Sequence, residues 1–248
     1  MKKEFRQIEW SREVQSEADR IIAWAFEEDL GTAGDITSRA LLPDDLTGAA
    51  DLVPRSDGIA AGMPLVADIL RHGDPELQWT AFVRDGQPVR AGQAIGRIEG
   101  NVRAMLAVER VLLNMLGRLF GIATTTRRFV DAVAGTRARV YDTRKTTPGW
   151  RRLEKYAVRC GGGFNHRLNL EAAVLIKDNH RAAGAKLWRL PPSAVPKEAI
   201  ARTRSYLEKH LSAQELEDLI IEIEVDDLEQ LAGALEARPD VVLLDNMN

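Results

Sequence analysis

After Gly135 the spacing of apolar residues changes. Short runs rich in Val, Ile and Leu begin to alternate with stretches whose apolar residues recur at helical spacing. The first kind predicts strands at Arg139–Thr143, Ala173–Lys177, Leu219–Val225 and Val241–Asp245. The second predicts helices near Pro148–Cys160, Pro196–Lys209 and Asp227–Ala237. Strand and helix in repetition imply parallel strands joined by right-handed crossovers, which narrows the choice to an open doubly wound sheet or a β/α barrel. The barrel is the preferred reading.

The chain before Gly135 is patterned differently. Ser11 to Leu30 reads as a helix with Ser11 as N-cap and Val14, Ala18, Ile21, Ile22, Ala25 and Phe26 on its apolar face. Glu27 to Thr37 reads as a turn-rich acidic connection. Thr47–Gly62 and Leu77–Gly100 carry short β segments punctuated by Gly and Pro, with a small helix at Met63–Arg71 between them. Arg84 to Ile95 is similar to the strand–turn pattern of biotinyl and lipoyl carrier domains, but no lysine occurs between Lys3 and Lys145 to serve as an attachment point. Helices at Arg103–Leu119 and Ile122–Ala134 follow, with Arg110 and Asn114 one turn apart on the first. These patterns give an N-terminal α/β sandwich domain at 1–115 and a β/α barrel domain at 116–248.

Several function classes are disfavoured by composition. The formal net charge is −3, against the basic balance that general nucleic-acid binding requires. No run of apolar residues is long enough to span a membrane, and the charged start Met1 to Arg6 lacks a signal-peptide core, so a cytoplasmic protein is expected. Cys160 is the only cysteine. It excludes an internal disulfide or a cysteine-rich metal site, and its place at a helix end beside Gly161 favours a structural role.

Positive charge is concentrated around the first predicted strand of the alternating region. Arg137 to Arg167 holds seven Arg and two Lys against Asp142 and Glu154. In β/α barrels functional side chains gather at the C-terminal ends of strands. The four predicted strands run into Arg144 and Lys145, into Lys177 and Asp178, to Glu224, and to Asp245. His166 and Arg167, after three glycines, add two more candidates. Such a set would hold an anionic substrate by charge and leave carboxylates for a metal or a developing cation.

These residues resemble a known family, quinolinate phosphoribosyltransferase. The resemblance runs from about Glu28 to Met247. It includes Glu28-Asp29-Leu30-Gly31, Gly34-Asp35-Ile36-Thr37, Glu109 to Asn114, Asp142 to Gly149, Leu153 to Gly163, Asn165-His166-Arg167, Leu175 to His180, Glu222 to Val225 and Leu243 to Asn246. It implies conversion of quinolinate and phosphoribosyl pyrophosphate to nicotinate mononucleotide, pyrophosphate and CO2, with Mg2+ and no organic cofactor. By the same resemblance Arg144, Lys145, His166, Arg167 and Lys177, with Thr143, bind substrate, and Arg110 reaches quinolinate from the partner subunit of a homodimer. Lys145, Lys177, Glu224 and Asp245 are the expected catalytic residues. Glu224 and Asp245 face the ribose and the metal, directly or through water.

Two departures from the family pattern stand out. The 46 residues between Lys177 and Glu224 exceed the expected spacing, which suggests an enlarged loop or lid at 181–196. Relative to the family the barrel reads as an incomplete TIM-like barrel, truncated at Asn248, and phosphate binding is expected to suffer. The competing readings are an aldolase-like Schiff base at Lys177, a related phosphoribosyltransferase acting on another aromatic acid, such as the paralogue found with molybdate transport, and an inactive binding or scaffold protein.

Overall fold

A computed structural model describes residues 3–247, which pack as two compact units. One is Gln7–His166; the other joins the N-terminal residues through Arg6 to Arg167 and the chain beyond it.

The Gln7–His166 unit opens with α1 (Arg12–Leu30), where the Ser11 hydroxyl accepts from Val14 N–H and Val14, Ala18, Ile22 and Phe26 are buried. The connection expected at Glu27–Thr37 is interrupted by α2 (Ile36–Leu41). Asp35 caps that helix by accepting from Ser38 N–H at 3.0 Å. Next come β1 (Thr47–Leu52), β2 (Gly58–Ile59), α3 (Met63–Gly73), β3 (Gln78–Ala81), β4 (Pro88–Val89) and β5 (Gly96–Asn101). The strands form an antiparallel sheet of order β1-β5-β3 and a small β2–β4 pair. Asp85 ties α3 in place. Its carboxylate accepts from the N–H groups of Gly62 and Met63 at 3.0 and 2.9 Å and from the Tyr156 hydroxyl at 2.6 Å.

The two helices expected at Arg103–Leu119 and Ile122–Ala134 are one, α4 (Val102–Ala132), 31 residues long. Gly117 and Gly121 do not break it, because its apolar stripe continues in register past both, from Val108, Val111, Leu112, Met115, Leu116 and Leu119 to Ala123. The strand expected at Arg139–Thr143 is reduced to one parallel bridge, Tyr141 with Phe164. Pro148 is not the first helical residue. Gly149 adopts φ 83°, a turn bond runs from Trp150 N–H to Thr147 C=O at 3.0 Å, and α5 (Arg151–Cys160) starts after them.

The second unit is built on β6 (Val174–Ile176), α6 (Asp178–Trp188), α7 (Val195–His210), α8 (Ala213–Asp218), β7 (Ile221–Val225), α9 (Leu228–Glu236) and β8 (Val241–Leu244). Its strands are parallel in the order β6-β7-β8, as the alternation requires. Every residue of the central strand β7 is buried, and Ile176, Ile200, Ile223, Val225 and Ala234 form the core. The segment expected as an enlarged loop is helical as far as Trp188, whose ring lies 4.8 Å beneath the Arg202 guanidinium. No helix among the described residues is long and apolar enough to cross a membrane.

The two kinds of glycine in these helices have opposite tolerances. A Cβ at Gly117 would meet nothing within 4 Å, whereas one at Gly161 would lie 2.4 Å from the Ala123 carbonyl oxygen and 2.6 Å from Thr126 Cβ. Gly117→Ala should therefore stabilise the protein by about 0.5–1 kcal/mol through α4, and Gly161→Ala should destabilise it by about 1–3 kcal/mol. Urea unfolding at fixed protein concentration measures both. Destabilisation by Gly117→Ala would mean that α4 does not run unbroken through that position.

Candidate active site

In the Gln7–His166 unit the basic loop 143–149 is fixed at both ends by adjacent residues of α5. At its start, Asp142 accepts hydrogen bonds from the Lys155 ammonium, from His166 N–H at 2.8 Å and from Asn165 Nδ2 at 2.6 Å. Toward its end, Glu154 accepts from Thr147 N–H at 3.3 Å and from Arg118 Nε at 3.1 Å, and the Arg118 guanidinium lies 5.3 Å from the centre of the Trp150 ring. Both α5 side chains are largely withdrawn from water, so α5 is buried continuously from Leu153 to Ala157.

The loop itself is a chain of short turns. Thr143 Oγ1 accepts from Lys145 N–H at 3.0 Å, and Thr146 N–H donates to Arg144 C=O at 3.0 Å. Thr143, expected to bind substrate, thus has its hydroxyl engaged in shaping the turn that presents Lys145. Lys145 is exposed. Arg144 is half-buried, and its Nε is a buried donor with no hydrogen-bond partner among the described residues.

Lys155 is the most deeply buried charge of the region, its side chain fully excluded from solvent. Burial pushes the ammonium below the ordinary lysine value, the Asp142 carboxylate pulls it back, and the nearby Arg151 and Arg144 push in the same direction as burial. Besides Asp142 it donates to His166 C=O at 3.0 Å. Asn165 is fully buried and completes the group, with Nδ2 also donating to Lys155 C=O at 2.9 Å and Oδ1 accepting from Ile8 N–H at 2.7 Å. His166 itself is half-buried.

In the second unit the strand ends carry the other candidates. The register pairs Ile176 with Ile223 and Glu224 with Leu243, so Lys177 and Glu224 stand one step past the paired Ile176 and Ile223, at the same end of the sheet. Lys177 is exposed at the N-cap of α6, and its N–H donates to His180 Nδ1 at 2.9 Å. Arg167 is buried and donates from Nη1 to Ala173 C=O at 2.9 Å. Asp245 follows β8, held by its N–H bond to Val225 C=O at 3.0 Å.

Carboxylate oxygens of Glu224, Asp226 and Asp245 lie within 4.8 Å of one another. Asp226 was not anticipated, although the rule that singled out Glu224 reaches it too, two residues further along the chain. Its carboxylate accepts from Arg181 Nη2 at 2.7 Å, and Arg181 also bonds Gln230. This set of hard oxygen donors suits Mg2+. Lys155 was the second omission. A charged residue within Leu153–Ala157 looks like the wet face of a helix until the whole turn is seen to be buried.

Comparison with known proteins places the chain as a whole in a family. The N-terminal domain profile of quinolinate phosphoribosyl transferase matches residues 35–120, and the C-terminal domain profile matches residues 122–248. The chain is 40% identical over 224 residues to the carboxylating nicotinate-nucleotide pyrophosphorylase of Mycobacterium leprae, covering 90% of this chain and 72% of that protein. A probable enzyme of the same name from Bacillus subtilis is 38% identical over 221 residues, with coverage of 89% and 70%. The solved structure of nicotinate-nucleotide pyrophosphorylase from Francisella tularensis superposes with a TM-score of 0.85 at 32% identity, covering 99% of this chain and 79% of that one. NadC from Streptococcus pyogenes gives a TM-score of 0.82 at 34% identity, with coverage of 94% and 76%.

Burial, reinforced by the Asp85 charge, pushes the Cys160 thiol up to about 12, which disfavours the thiolate and with it a nucleophilic role. Ellman's reagent should label the native protein far more slowly than the urea-unfolded chain. Equal rates would show that the thiol is open to solvent.

Proposed function

The chain belongs to the quinolinate phosphoribosyltransferase family, and from that premise we propose how its residues carry the reaction. The activity is that of a carboxylating nicotinate-nucleotide pyrophosphorylase: quinolinate and phosphoribosyl pyrophosphate give nicotinate mononucleotide, pyrophosphate and CO2, a step of NAD biosynthesis. The observation that best supports the assignment of roles is the end of the β6-β7-β8 sheet, where Lys177 stands in register with Glu224 and three carboxylates converge.

Quinolinate is a planar dianion, so fixed cations are what it needs. We assign its capture to Arg144, Lys145, His166, Arg167 and Lys177, with Thr143 shaping the turn that carries the first two. As the C1–O bond to pyrophosphate breaks and the ring nitrogen bonds to C1, positive charge builds on the ribose. We assign Glu224 and Asp245, with Asp226, to oppose it. When the C2 carboxylate then departs as CO2, its bonding pair stays at C2 as an ylide stabilised by the adjacent quaternary nitrogen, and a proton taken up at C2 completes the nicotinate ring, so the step calls for no organic cofactor. Mg2+ would be held by Glu224, Asp226 and Asp245, directly or through water, and when bound would offset the charge of the pyrophosphate group. Lys145 and Lys177 are assigned to the chemical step as proton or charge partners of the leaving groups.

The working unit proposed is a homodimer with Arg110 donated to the partner's substrate. Arg110 is exposed on α4, and Leu106 and Leu113, on neighbouring turns, are exposed apolar residues at 45% and 38%. Such a stripe of leucine around a cation suits a protein partner better than water.

Calorimetry should show quinolinate binding at least tenfold tighter than nicotinate, about 1.4 kcal/mol for the second carboxylate, with the preference lost in Arg144→Ala and Lys177→Ala proteins. Equal affinity for the two acids would contradict a site built for a dicarboxylate. For the dimer, Arg110→Ala and Lys177→Ala proteins, each inactive alone, should regain activity when mixed, because some mixed dimers contain one intact site. If labelled subunits exchange and no activity returns, donation of Arg110 in trans is wrong.

A further inference from the structure

We propose that Lys155 is a positioning residue for substrate capture, acting by clamping the main chain of His166 and the start of the Arg144–Lys145 loop through one buried ion pair with Asp142. The proposal rests on the reading above that His166 and Arg144 engage quinolinate.

Its basis is where the donors go. The ammonium donates to Asp142 and to His166 C=O at 3.0 Å, and Asp142 in turn accepts from His166 N–H at 2.8 Å. The His166 peptide units are thus held from both sides, the N–H by the acid and the C=O by the base of a single pair. Asp142 is also the residue from which the 143–149 loop departs. One interaction therefore sets two segments at once, each bearing groups assigned to the substrate.

A merely structural role accounts for less of this. Burying an ammonium and a carboxylate is costly, and a buried pair of this kind can often be replaced by apolar residues with no loss of stability. A core needing only to be filled would be served by Met or Leu on α5, beside Leu153 and Ala157, both fully buried. Asn165 already ties the segment to Ile8 and to Lys155 C=O without needing the ammonium. What the ammonium adds is the bond to His166 C=O and a third donor to Asp142 beside Asn165 Nδ2 and His166 N–H.

The test uses the charge-neutral double variant Lys155→Met/Asp142→Asn, which leaves no unpaired buried charge, in the full-length protein. Cooperative thermal unfolding establishes that it is folded. Calorimetry should then show quinolinate affinity reduced on the order of tenfold or more, since small misplacement of binding groups costs that much. The His166 imidazole resonances, assigned by loss in His166→Ala, should shift and broaden. In kinetics the KM for quinolinate should rise more than kcat falls. Unchanged quinolinate affinity and unchanged His166 resonances in the folded double variant would overturn the proposal. If the double variant fails to fold, Lys155→Arg decides, because it keeps the charge beside Asp142 but moves the donors: weakened quinolinate binding supports the clamp and wild-type binding refutes it. The underlying reading is tested separately by His166→Ala and Arg144→Ala. If neither weakens quinolinate binding, that reading fails and the clamp with it; if both do while the Lys155 variants do not, only the clamp fails.

Discussion

Asp142 is the acceptor on which the local geometry of the basic region depends. Its two oxygens take hydrogen bonds from a side-chain ammonium, a side-chain amide and a main-chain N–H, drawn from α5 and from the 165–166 segment. Three donors of different kinds fix a carboxylate in position and orientation, which none of them could do alone. The loop that leaves Asp142 is then caught again at Thr147 by Glu154 and Arg118. Between those anchors only a few residues are free to choose a conformation, and two of them are Arg144 and Lys145. A cationic loop held at both ends loses less entropy on binding an anion than one that must first be ordered.

The second unit solves a related problem with strands. Parallel register fixes how far each strand extends, so residues at and just past the end of the pairing arrive together. Asp245 illustrates this: its N–H bond to Val225 C=O extends the ladder one step beyond β8, and its side chain falls beside those of Glu224 and Asp226.

How much of this was legible in the sequence follows from where the information lay. β6, β7 and β8 lie within two residues of the expected bounds because their Val, Ile and Leu are confined to short runs between helical segments, even where β7 alternates Ile with Glu. The strand expected at Arg139–Thr143 shrank to the Tyr141 bridge because its partner, Phe164, lies in a glycine-rich segment with no strand pattern. Gly121 falls between the two helices expected, yet α4 runs unbroken through it. A glycine in a helix costs only about 1 kcal/mol, which the apolar stripe on either side outweighs. The strand-end rule located Glu224, Asp245 and Lys177 from local pattern. Lys155 is not found that way, because its hydrogen-bond partners Asp142 and His166 lie thirteen and eleven residues away in sequence.

The three carboxylates of the second unit also carry an electrostatic argument. Like charges about 4 Å apart repel by roughly 4 kcal/mol at an effective dielectric near 20, and within the group of Glu224, Asp226 and Asp245 the exposure of Asp226 softens that repulsion. One guanidinium, that of Arg181, is bonded to Asp226, and it comes from α6, the helix whose N-cap is Lys177. Three carboxylates against one bonded guanidinium leave a negative excess in a partly buried setting. In the roles proposed for Glu224 and Asp245, that excess is what a divalent cation or a ribose developing positive charge would offset.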